Sequence, residues 1–284
     1  MSGEASRGRR LEGRVALLTG AGGEIGRGIA LCLAEEGAVV ALADISLEGA
    51  GRCREEVEAI GGKAVALHLD VTDAASCEAA IGQTRSDLGG LDILVNNAGV
   101  IGGPDFKLGL PLSDISEADW DATYEVNVKG VFLLCRAALS GMVENKWGRI
   151  VNIVSEAGNN PEPELSAYST SKAALIHFTD AMALAVADAG VRVFAYHPGM
   201  VRTGLADHLI ANGNGAMGQR LKAAFAEGRD TPMERSAERL MFLASGRGDF
   251  LTGRYIMSRQ TEEELLAQQA QIAASDLYKL RVNR

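Results

Sequence analysis

The sequence has few cysteines and no closely spaced pair of them. Cys32, Cys53, Cys77 and Cys135 each fall within or near a segment with a helical pattern, and none forms a C-x-x-C motif. Zinc ribbons and dithiol redox sites bring thiols together at short spacings. We therefore expect free, buried thiols in a reducing compartment, with no disulfide and no bound metal.

The sequence also lacks a long apolar run and a basic balance of charge. No uninterrupted apolar stretch approaches the roughly 18 residues that span a bilayer. Residues 1–13 carry three arginines, but no apolar segment of signal-peptide form follows them. The formal net charge of −9 disfavours nucleic acid or an anionic membrane as a partner. These absences predict a cytoplasmic protein that binds neither nucleic acid nor a membrane. Residues 1–13 are predicted to form a loose tail.

Short apolar runs alternate with helical patterns along most of the 284 residues. Nearly continuous apolar strands are typical of a parallel sheet that is covered on both faces. Right-handed crossovers then give a doubly wound, Rossmann-like α/β fold, with ligands at the carboxyl ends of the strands. We predict one such domain over residues 14–258. The predicted strands are residues 15–19, 38–43, 64–69, 93–95, 149–154 and 191–196.

A helical extension is predicted over residues 259–284. Thr261 to Glu264 has the pattern of a capping box, which begins a helix. Five apolar residues then recur at intervals of four, three, four and three, which predicts an amphipathic helix covering its own core. A subunit contact and a cover over the cleft remain as alternatives. The five residues are Leu266, Ala270, Ala273, Leu277 and Leu280.

A glycine-rich turn and an acid suggest a dinucleotide site. Residues 19–26 join the first strand to the first helix, where small residues let backbone N–H groups approach a pyrophosphate. Asp44 follows Gly26 by eighteen residues, at the end of the second strand. A carboxylate there accepts ribose hydroxyls and repels a 2′-phosphate. The pattern predicts NAD rather than NADP, although an ordinary turn is an alternative for the glycines alone.

Tyr168 and Lys172 lie four residues apart, and Ser155 precedes the tyrosine by thirteen. A helix places positions four apart on one face, so the phenol and the ammonium project side by side. A free tyrosine has a pKa of about 10, and a nearby cation favours its phenolate. Lowering that pKa to about 7 requires about 4 kcal/mol. The pair therefore predicts a tyrosine that serves as a general base.

These motifs occur in an order that resembles the short-chain dehydrogenase/reductase family, over roughly residues 11–255. Asp70-Val71 is similar to the pair that borders adenine, and residues 96–99 to the strand-end motif beside the cofactor. Residues 198–203 match the segment that holds the nicotinamide amide. The cofactor residues implied by this resemblance are Gly20, Gly23, Glu24, Ile25, Asp44, Asp70, Val71, Asn97, Ala98, Gly99, Tyr168, Lys172, Pro198, Gly199, Val201 and Thr203.

The resemblance implies hydride exchange between NAD and a small alcohol or ketone. Tyr168 is then the general acid–base, Ser155 orients the reacting oxygen, and Lys172 lowers the pKa of Tyr168 and binds the nicotinamide ribose. Asn127 matches the remaining catalytic residue and would hold a water that relays the proton. A homodimer or homotetramer through the helices of Asn127 and Tyr168 is also implied. The substrate would contact Ser155, Glu156, Tyr168 and His208.

Glu24 departs from the family pattern, since a glycine usually occupies this position of the turn. We expect its side chain to point outward at the helix N-terminus, where the helix dipole favours an acid. Two other functions remain open on this scaffold, namely a non-catalytic NAD-binding redox sensor and a lyase or epimerase that uses NAD transiently. A sensor predicts damage to the catalytic residues, and a lyase predicts a larger C-terminal region. His197 is expected to be a hydrogen-bonded structural residue.

Overall fold

A computed structural model describes residues 9–103, 106, 110–212 and 216–281. Within these residues, seven parallel strands form one sheet in the order β3-β2-β1-β4-β5-β6-β7. The chain order reverses between β1 and β4, so the predicted doubly wound fold is confirmed. The strands are β1 Val15–Thr19, β2 Val39–Asp44, β3 Lys63–His68, β4 Ile93–Asn96, β5 Gly148–Ile153, β6 Val191–His197 and β7 Tyr255–Met257.

Helices cover both faces of the sheet. The side chains of each strand alternate between two buried cores, as Leu17 and Leu18 do in β1. One core packs against α1, α2 and α9, and the other against α3, α5 and α6. The helices are α1 Glu24–Glu35, α2 Leu47–Ala59, α3 Ala74–Leu88, α4 Glu117–Tyr124, α5 Val131–Glu144, α6 Ser166–Ala185, α7 Gly204–Asn212, α8 Ala216–Ala226, α9 Met233–Ala244, α10 Glu262–Ala267 and α11 Gln269–Ala273.

Polar residues cap the starts of several helices, among them Ser116 before α4. Its hydroxyl accepts a hydrogen bond from the N–H of Asp119 at 3.0 Å. Ser46 and Asp73 cap α2 and α3 in the same way, over 3.1 and 2.9 Å. Each cap satisfies a backbone donor that has no partner within its own helix. These caps fix the first residues of α2, α3 and α4.

A π-helical turn at Glu125–Gly130 joins α4 to α5, so residues 117–144 form one continuous helix. In the described part of the chain, this is the one helix long and apolar enough to cross a membrane. It packs against α3 and α6 within the fold, however, and its Asn127 is fully buried. Core helices of globular proteins have the same length and composition. The inserted turn is a feature that commonly marks a functional site.

The C-terminal extension differs from the predicted amphipathic helix. The capping box between Thr261 and Glu264 is confirmed, but the helix is interrupted at Gln268 and the chain leaves helical structure after Ala273. The predicted apolar stripe is wrong. Leu265 and Ile272 are the buried residues, whereas two members of the stripe, Leu266 and Leu280, are 42% and 37% exposed.

A buried guanidinium explains where the helical part of the extension ends. Arg254, just before β7, donates hydrogen bonds to the carbonyl oxygens of Ile272, Ser275 and Leu277. These carbonyls follow or close the last helical turn, where they have no intrahelical partner. Their convergence on one side chain bends the chain away from a continuous helix.

We call residues 262–281 the strap, because they pass around the β7 edge of the sheet. Leu265 and Ile272 pack into the core on the side of α1 and α9. At the edge, the N–H of Tyr255 donates to the carbonyl oxygen of Tyr278 at 2.8 Å. Beyond it, Lys279 and Arg281 pair with the buried Asp180 of α6 at 2.9 and 2.5 Å. The strap therefore connects the two helical layers.

Replacement of Asp180 by asparagine is expected to reduce the free energy of unfolding by about 2 kcal/mol, between the effects typical of exposed and buried ion pairs. Burial raises the pKa of Asp180, but its pairs with Lys279 and Arg281 outweigh this, and the net pKa is below its ordinary value. The stabilisation is therefore present above about pH 4 and lost as the pH falls further. Urea denaturation at neutral pH and in acid measures both effects.

The matched control is Asp188→Asn, an exposed aspartate that follows the same helix. It should leave the stability unchanged at both pH values. An equal loss of stability in the two variants would contradict the role of Asp180 in holding the strap.

Candidate active site

A cavity of about 500 Å³ lies at the carboxyl ends of the central strands. Its position is the one expected for a doubly wound sheet, where the chain order reverses and the flanking loops separate. It is bordered by the ends of β1, β2 and β4 and by the segment that precedes α7. The predicted cofactor residues that line it are Gly20, Gly23, Glu24, Ile25, Asp44, Asp70, Val71, Asn97, Ala98, Gly99 and Thr203.

The glycine turn brings the backbone of β1 close to its neighbours. Gly20 has a φ of 66°, and a Cβ there would lie 3.0 Å from the Cα of Ala98. A Cβ at Gly26 would collide with the carbonyl oxygen of Gly20. Only glycine satisfies both positions, which leaves the first N–H groups of α1 open to the cavity. An anion such as a pyrophosphate binds well at a helix N-terminus of this kind.

Thr19 and Asn97 tie the ends of β1 and β4 together. The hydroxyl of Thr19 accepts hydrogen bonds from the N–H groups of Asn97 and Ala98, both at 3.0 Å. The Asn97 amide donates to the carbonyl oxygens of Thr19 and Gly20 at 3.0 and 3.1 Å. Asn97 thus fixes the glycine turn. Thr19 was not among the predicted site residues, although a threonine at a strand end beside glycines is a signal that could have identified it.

Asp44 lies at the cavity, and each of its carboxylate oxygens already accepts one hydrogen bond. Oδ2 accepts the N–H of Gly22 at 2.9 Å, and Oδ1 accepts the N–H of Ser46 at 2.8 Å. A carboxylate accepts about four hydrogen bonds, so each oxygen retains a lone pair for a ribose hydroxyl. Glu24 and Asp70 also line the cavity. The described lining contains no lysine or arginine. Its negative charge therefore opposes the binding of an additional phosphate, such as the 2′-phosphate of NADP.

Asp70 is held in its ionised form by its local hydrogen bonds. Its Oδ1 accepts the hydroxyl and the N–H of Thr72 at 2.7 and 2.9 Å. These two bonds lower the pKa of Asp70 below its ordinary value. Its own N–H donates to Ser76, so the carboxylate is fixed where the ends of β3 and β4 border the cavity.

Tyr168 and Lys172 lie on one face of α6, as predicted. Lys172 is 4% exposed, and its Nζ lies 5.6 Å from the centroid of the Tyr168 ring. Nζ donates to the carbonyl oxygen of Ile153 at 2.9 Å, at the end of β5. Burial lowers the pKa of Lys172 to about 8. The ammonium is therefore held beside the phenol in an environment that disfavours its charge.

The pKa of Tyr168 differs from the sequence-based expectation. Burial raises it above the ordinary value, and a hydrogen bond with Ser155 opposes this increase. The expected lowering of this pKa is not found in the protein alone, where the cost of burying a phenolate is the largest effect. Tyr168 is accordingly protonated at neutral pH in this state.

Asn127 connects the π-helical turn to the site. Its amide donates to the carbonyl oxygen of Val100 at 2.8 Å and to the hydroxyl of Ser171 at 3.0 Å, and its oxygen accepts the N–H of Val100 at 2.9 Å. A Cβ at Gly99 would lie 3.2 Å from this oxygen and 3.4 Å from Nζ of Lys172. Gly99 therefore lets β4, α6 and the π-helical turn converge. Both amide hydrogens of Asn127 are occupied, so its side chain acts in positioning.

The segment after β6 reaches the cavity through Thr203. Gly199 has a φ of 87°, and a Cβ there would collide with the side chain of Thr231. The hydroxyl of Thr203 accepts the N–H of Ala206 at 3.3 Å and thereby begins α7. Pro198, Gly199 and Val201, which were predicted to contact the cofactor, lie in the same segment but outside the cavity lining.

Comparison with known proteins identifies the family. A family model described as short chain dehydrogenase matches residues 14–213. The oxidoreductase UcpA of Salmonella typhimurium is 38% identical over 251 residues, which cover 86% of this chain and 92% of that protein. The chain belongs to the short-chain dehydrogenase family.

Other members of the short-chain dehydrogenase family have a comparable likeness. Galactitol 2-dehydrogenase of Agrobacterium fabrum is 35% identical over 250 residues, covering 85% of this chain and 94% of that protein. A crystal structure of NAD⁺-bound xylitol dehydrogenase superposes with a TM-score of 0.79 at 30% identity, covering 87% of this chain and 98% of that one. These comparisons confirm the resemblance drawn from the motifs, and the chain is an oxidoreductase of this family.

The predicted substrate residues are only partly described in this short-chain dehydrogenase. Glu156 follows Ser155, is exposed, and accepts a hydrogen bond from Asn160 at 3.3 Å. His208 falls within α7, but its side chain lies outside the described residues. His197 was expected to be a hydrogen-bonded structural residue. Its Nδ1 has no partner among the described residues, whereas a hydrogen bond with the backbone of Val154 acts to raise its pKa. Its ring is stacked on Tyr255 at 6.4 Å, and burial lowers the pKa of His197 to about 4, so it is neutral.

Replacement of the buried Lys172 by methionine is expected to stabilise the fold by about 2 kcal/mol at neutral pH, because the cost of burying the cation exceeds the value of its hydrogen bond. Folded Lys172 loses its proton above about pH 8, whereas the unfolded chain retains it to about 10.4. The stability of the wild type therefore rises across this interval. The difference in the free energy of unfolding between Lys172→Met and the wild type should therefore decrease over the same pH interval. Urea denaturation at several pH values measures it.

Lys63→Met is the control, since Lys63 is exposed on the edge strand β3. It should give no pH-dependent gain. A Lys172→Met variant less stable than the wild type at neutral pH would show that the hydrogen bond to Ile153 outweighs the burial of the charge.

Proposed function

We propose that this protein is an NAD-dependent dehydrogenase that interconverts a secondary alcohol and a ketone, with Tyr168 as general acid–base. The observation that carries the proposal is the buried ammonium of Lys172, which lies 5.6 Å from the centroid of the Tyr168 ring and is fixed to the end of β5 by its hydrogen bond to Ile153. Ser155, which precedes Tyr168 by thirteen residues, opposes the effect of burial on the pKa of Tyr168. A phenol, a hydroxyl and a cation placed together at the carboxyl edge of the sheet form a proton-transfer site adjacent to a cavity of dinucleotide size.

The residues that line the cavity fit NAD. The space that a Cβ would fill at Gly20 or Gly26 is already taken up by backbone, so the turn presents N–H groups rather than side chains to a pyrophosphate. The free lone pairs of Asp44 suit two ribose hydroxyls, and the acidic lining favours NAD over NADP. NAD would be held by the cavity residues named above, and when bound it accepts hydride from the alcohol carbon.

The remaining chemistry belongs to the protein side chains. In the direction of oxidation, Tyr168 takes the proton of the alcohol hydroxyl. Ser155 donates a hydrogen bond to the same oxygen and orients it. Lys172 stabilises the negative charge on Tyr168, since Coulombic attraction is strong in a site shielded from water. Asn127 holds the loop of Val100 and the helix of Ser171 in register, and a water near it would relay the proton to solvent.

The substrate is proposed to be a neutral alcohol of small to moderate size. The exposed carboxylate of Glu156 lies directly after Ser155, and it disfavours an anionic substrate by charge repulsion. Relatives named galactitol 2-dehydrogenase and xylitol dehydrogenase support a polyhydroxylated alcohol. We also propose that the protein is cytoplasmic, which accords with its free cysteines. We further propose that it assembles as a homodimer or homotetramer.

Tyr168→Phe is expected to lower kcat by about a hundredfold or more, the contribution of a general acid–base. The affinity for NADH should remain nearly unchanged, because the ring is retained. Initial rates with NAD and a panel containing xylitol, galactitol and simple secondary alcohols test the decrease in kcat. Fluorescence titration with NADH tests the affinity.

Tyr124→Phe is the matched control for this variant, since Tyr124 lies on α4, stacks on Trp120 and is not among the residues that line the cavity. It should retain normal turnover. If Tyr168→Phe kept more than a few per cent of the activity, the assignment of Tyr168 would be wrong. Tight NADH binding with no turnover of any alcohol by the wild type would instead favour a redox sensor.

The wild type is expected to bind NADH at least about tenfold more tightly than NADPH, because Asp44 accepts ribose hydroxyls and repels a 2′-phosphate. Asp44→Ala should weaken NADH and remove most of this preference. Parallel fluorescence titrations measure both ligands. Asp87→Ala, an exposed change on α3, should leave both affinities unaltered. A wild-type preference for NADPH would contradict the role of Asp44.

A further inference from the structure

Glu24 makes a contact between two segments that are far apart in the sequence. It is the first residue of α1, and its Oε2 accepts the N–H of Gly204, the first residue of α7, at 2.5 Å. These residues are separated by 180 positions. A Cβ at Gly204 would also lie 3.6 Å from the same oxygen, so the backbone of α7 approaches the carboxylate closely.

The carboxylate of Glu24 therefore lies at the N-termini of two helices. The first N–H groups of each helix have no intrahelical acceptor and carry a partial positive charge. Gly23, the residue before α1, supplies no side-chain cap. Glu24 satisfies one such donor of α7 while it remains in the first turn of α1. Both helices favour a negative charge at this point.

The contact lies on the rim of the cavity. Glu24 and Thr203 both line it. Thr203 directly precedes Gly204, and its carbonyl oxygen accepts the N–H of Asp207 at 2.9 Å. A hydrogen bond between Glu24 and Gly204 thus joins the glycine turn to the start of α7 across the side of the cavity.

We propose that Glu24 is a latch that holds α7 against the glycine turn and slows both entry and exit of the dinucleotide. The proposal rests on the proposed NAD-dependent function. The contact forms in the chain without a ligand, and a pyrophosphate bound at the start of α1 would lie in the same region. The latch stabilises the closed rim whether or not the cavity is filled. Its loss therefore accelerates association and dissociation together.

Limited trypsin digestion without cofactor tests the latch directly. Glu24→Ala removes the acceptor, whereas Glu24→Gln keeps a carbonyl oxygen able to accept from Gly204. Cleavage at Arg202, Arg220, Lys222 and Arg229 should be about fivefold faster in the alanine variant, the effect of one charge-assisted hydrogen bond at an exposed position. The glutamine variant should retain most of the wild-type protection.

Glu48→Ala is the control, because Glu48 is an exposed acid in the first turn of α2 that pairs with Arg52 outside the cavity. It should be digested at the wild-type rate. Unchanged digestion of Glu24→Ala would overturn the proposal. Equal loss of protection in the alanine and glutamine variants would still support the proposal, and would show that the charge of Glu24 is the main component of its contact with α7.

Stopped-flow measurement of NADH binding tests the kinetic consequence. In Glu24→Ala, both rate constants should rise about fivefold, with little change in Kd. If Glu24→Ala bound NADH faster but released it at an unchanged rate, the latch would be contradicted. Glu24 would then act only as a negative charge that repels the approaching dinucleotide. If no variant bound NADH, the proposed function would fail, whereas the digestion result would still decide whether Glu24 holds α7.

Discussion

The hydrogen bond from Lys172 to the carbonyl oxygen of Ile153 places a cation inside the protein, and the geometry of the site depends on it. It fixes α6 to the end of β5. Nζ then lies close to Gly99 at the end of β4 and to the ring of Tyr168. A buried ammonium is costly unless a negative charge or a bound molecule comes near it. The site is consequently complementary to a phenolate and to ligand oxygens that the chain alone does not provide.

The same balance explains why the phenol is protonated in the protein by itself. Burial acts on Tyr168 and Lys172 in opposite senses, since it raises the pKa of the acid and lowers that of the ammonium. Both shifts favour neutral groups. A positively charged ring in the adjacent cavity would reverse this preference for Tyr168. Under the proposed function, proton transfer by Tyr168 would therefore be coupled to occupation of the cavity.

Much of the fold and of the site was predictable from short-range pattern. Tyr168 and Lys172 are related by helical spacing. Asp44 was identified by its place at the end of a strand. Both patterns are local in the sequence. Contacts between distant segments were not predictable. The hydrogen bonds from Asn97 to Thr19 and from Gly204 to Glu24 join residues whose separation follows no period. The end of helical structure after Ala273 was missed because its cause, Arg254, lies outside the segment that it shapes.

The strap also determines how the sheet can end. An edge strand presents unpaired N–H and C=O groups that can recruit a strand from another molecule. At β7, the N–H of Tyr255 is already taken by Tyr278 of the same chain. At the opposite edge, β3 begins with the exposed Lys63, a charge of the kind that discourages such pairing. Both margins of the sheet thus carry a feature that opposes its continuation into a second molecule.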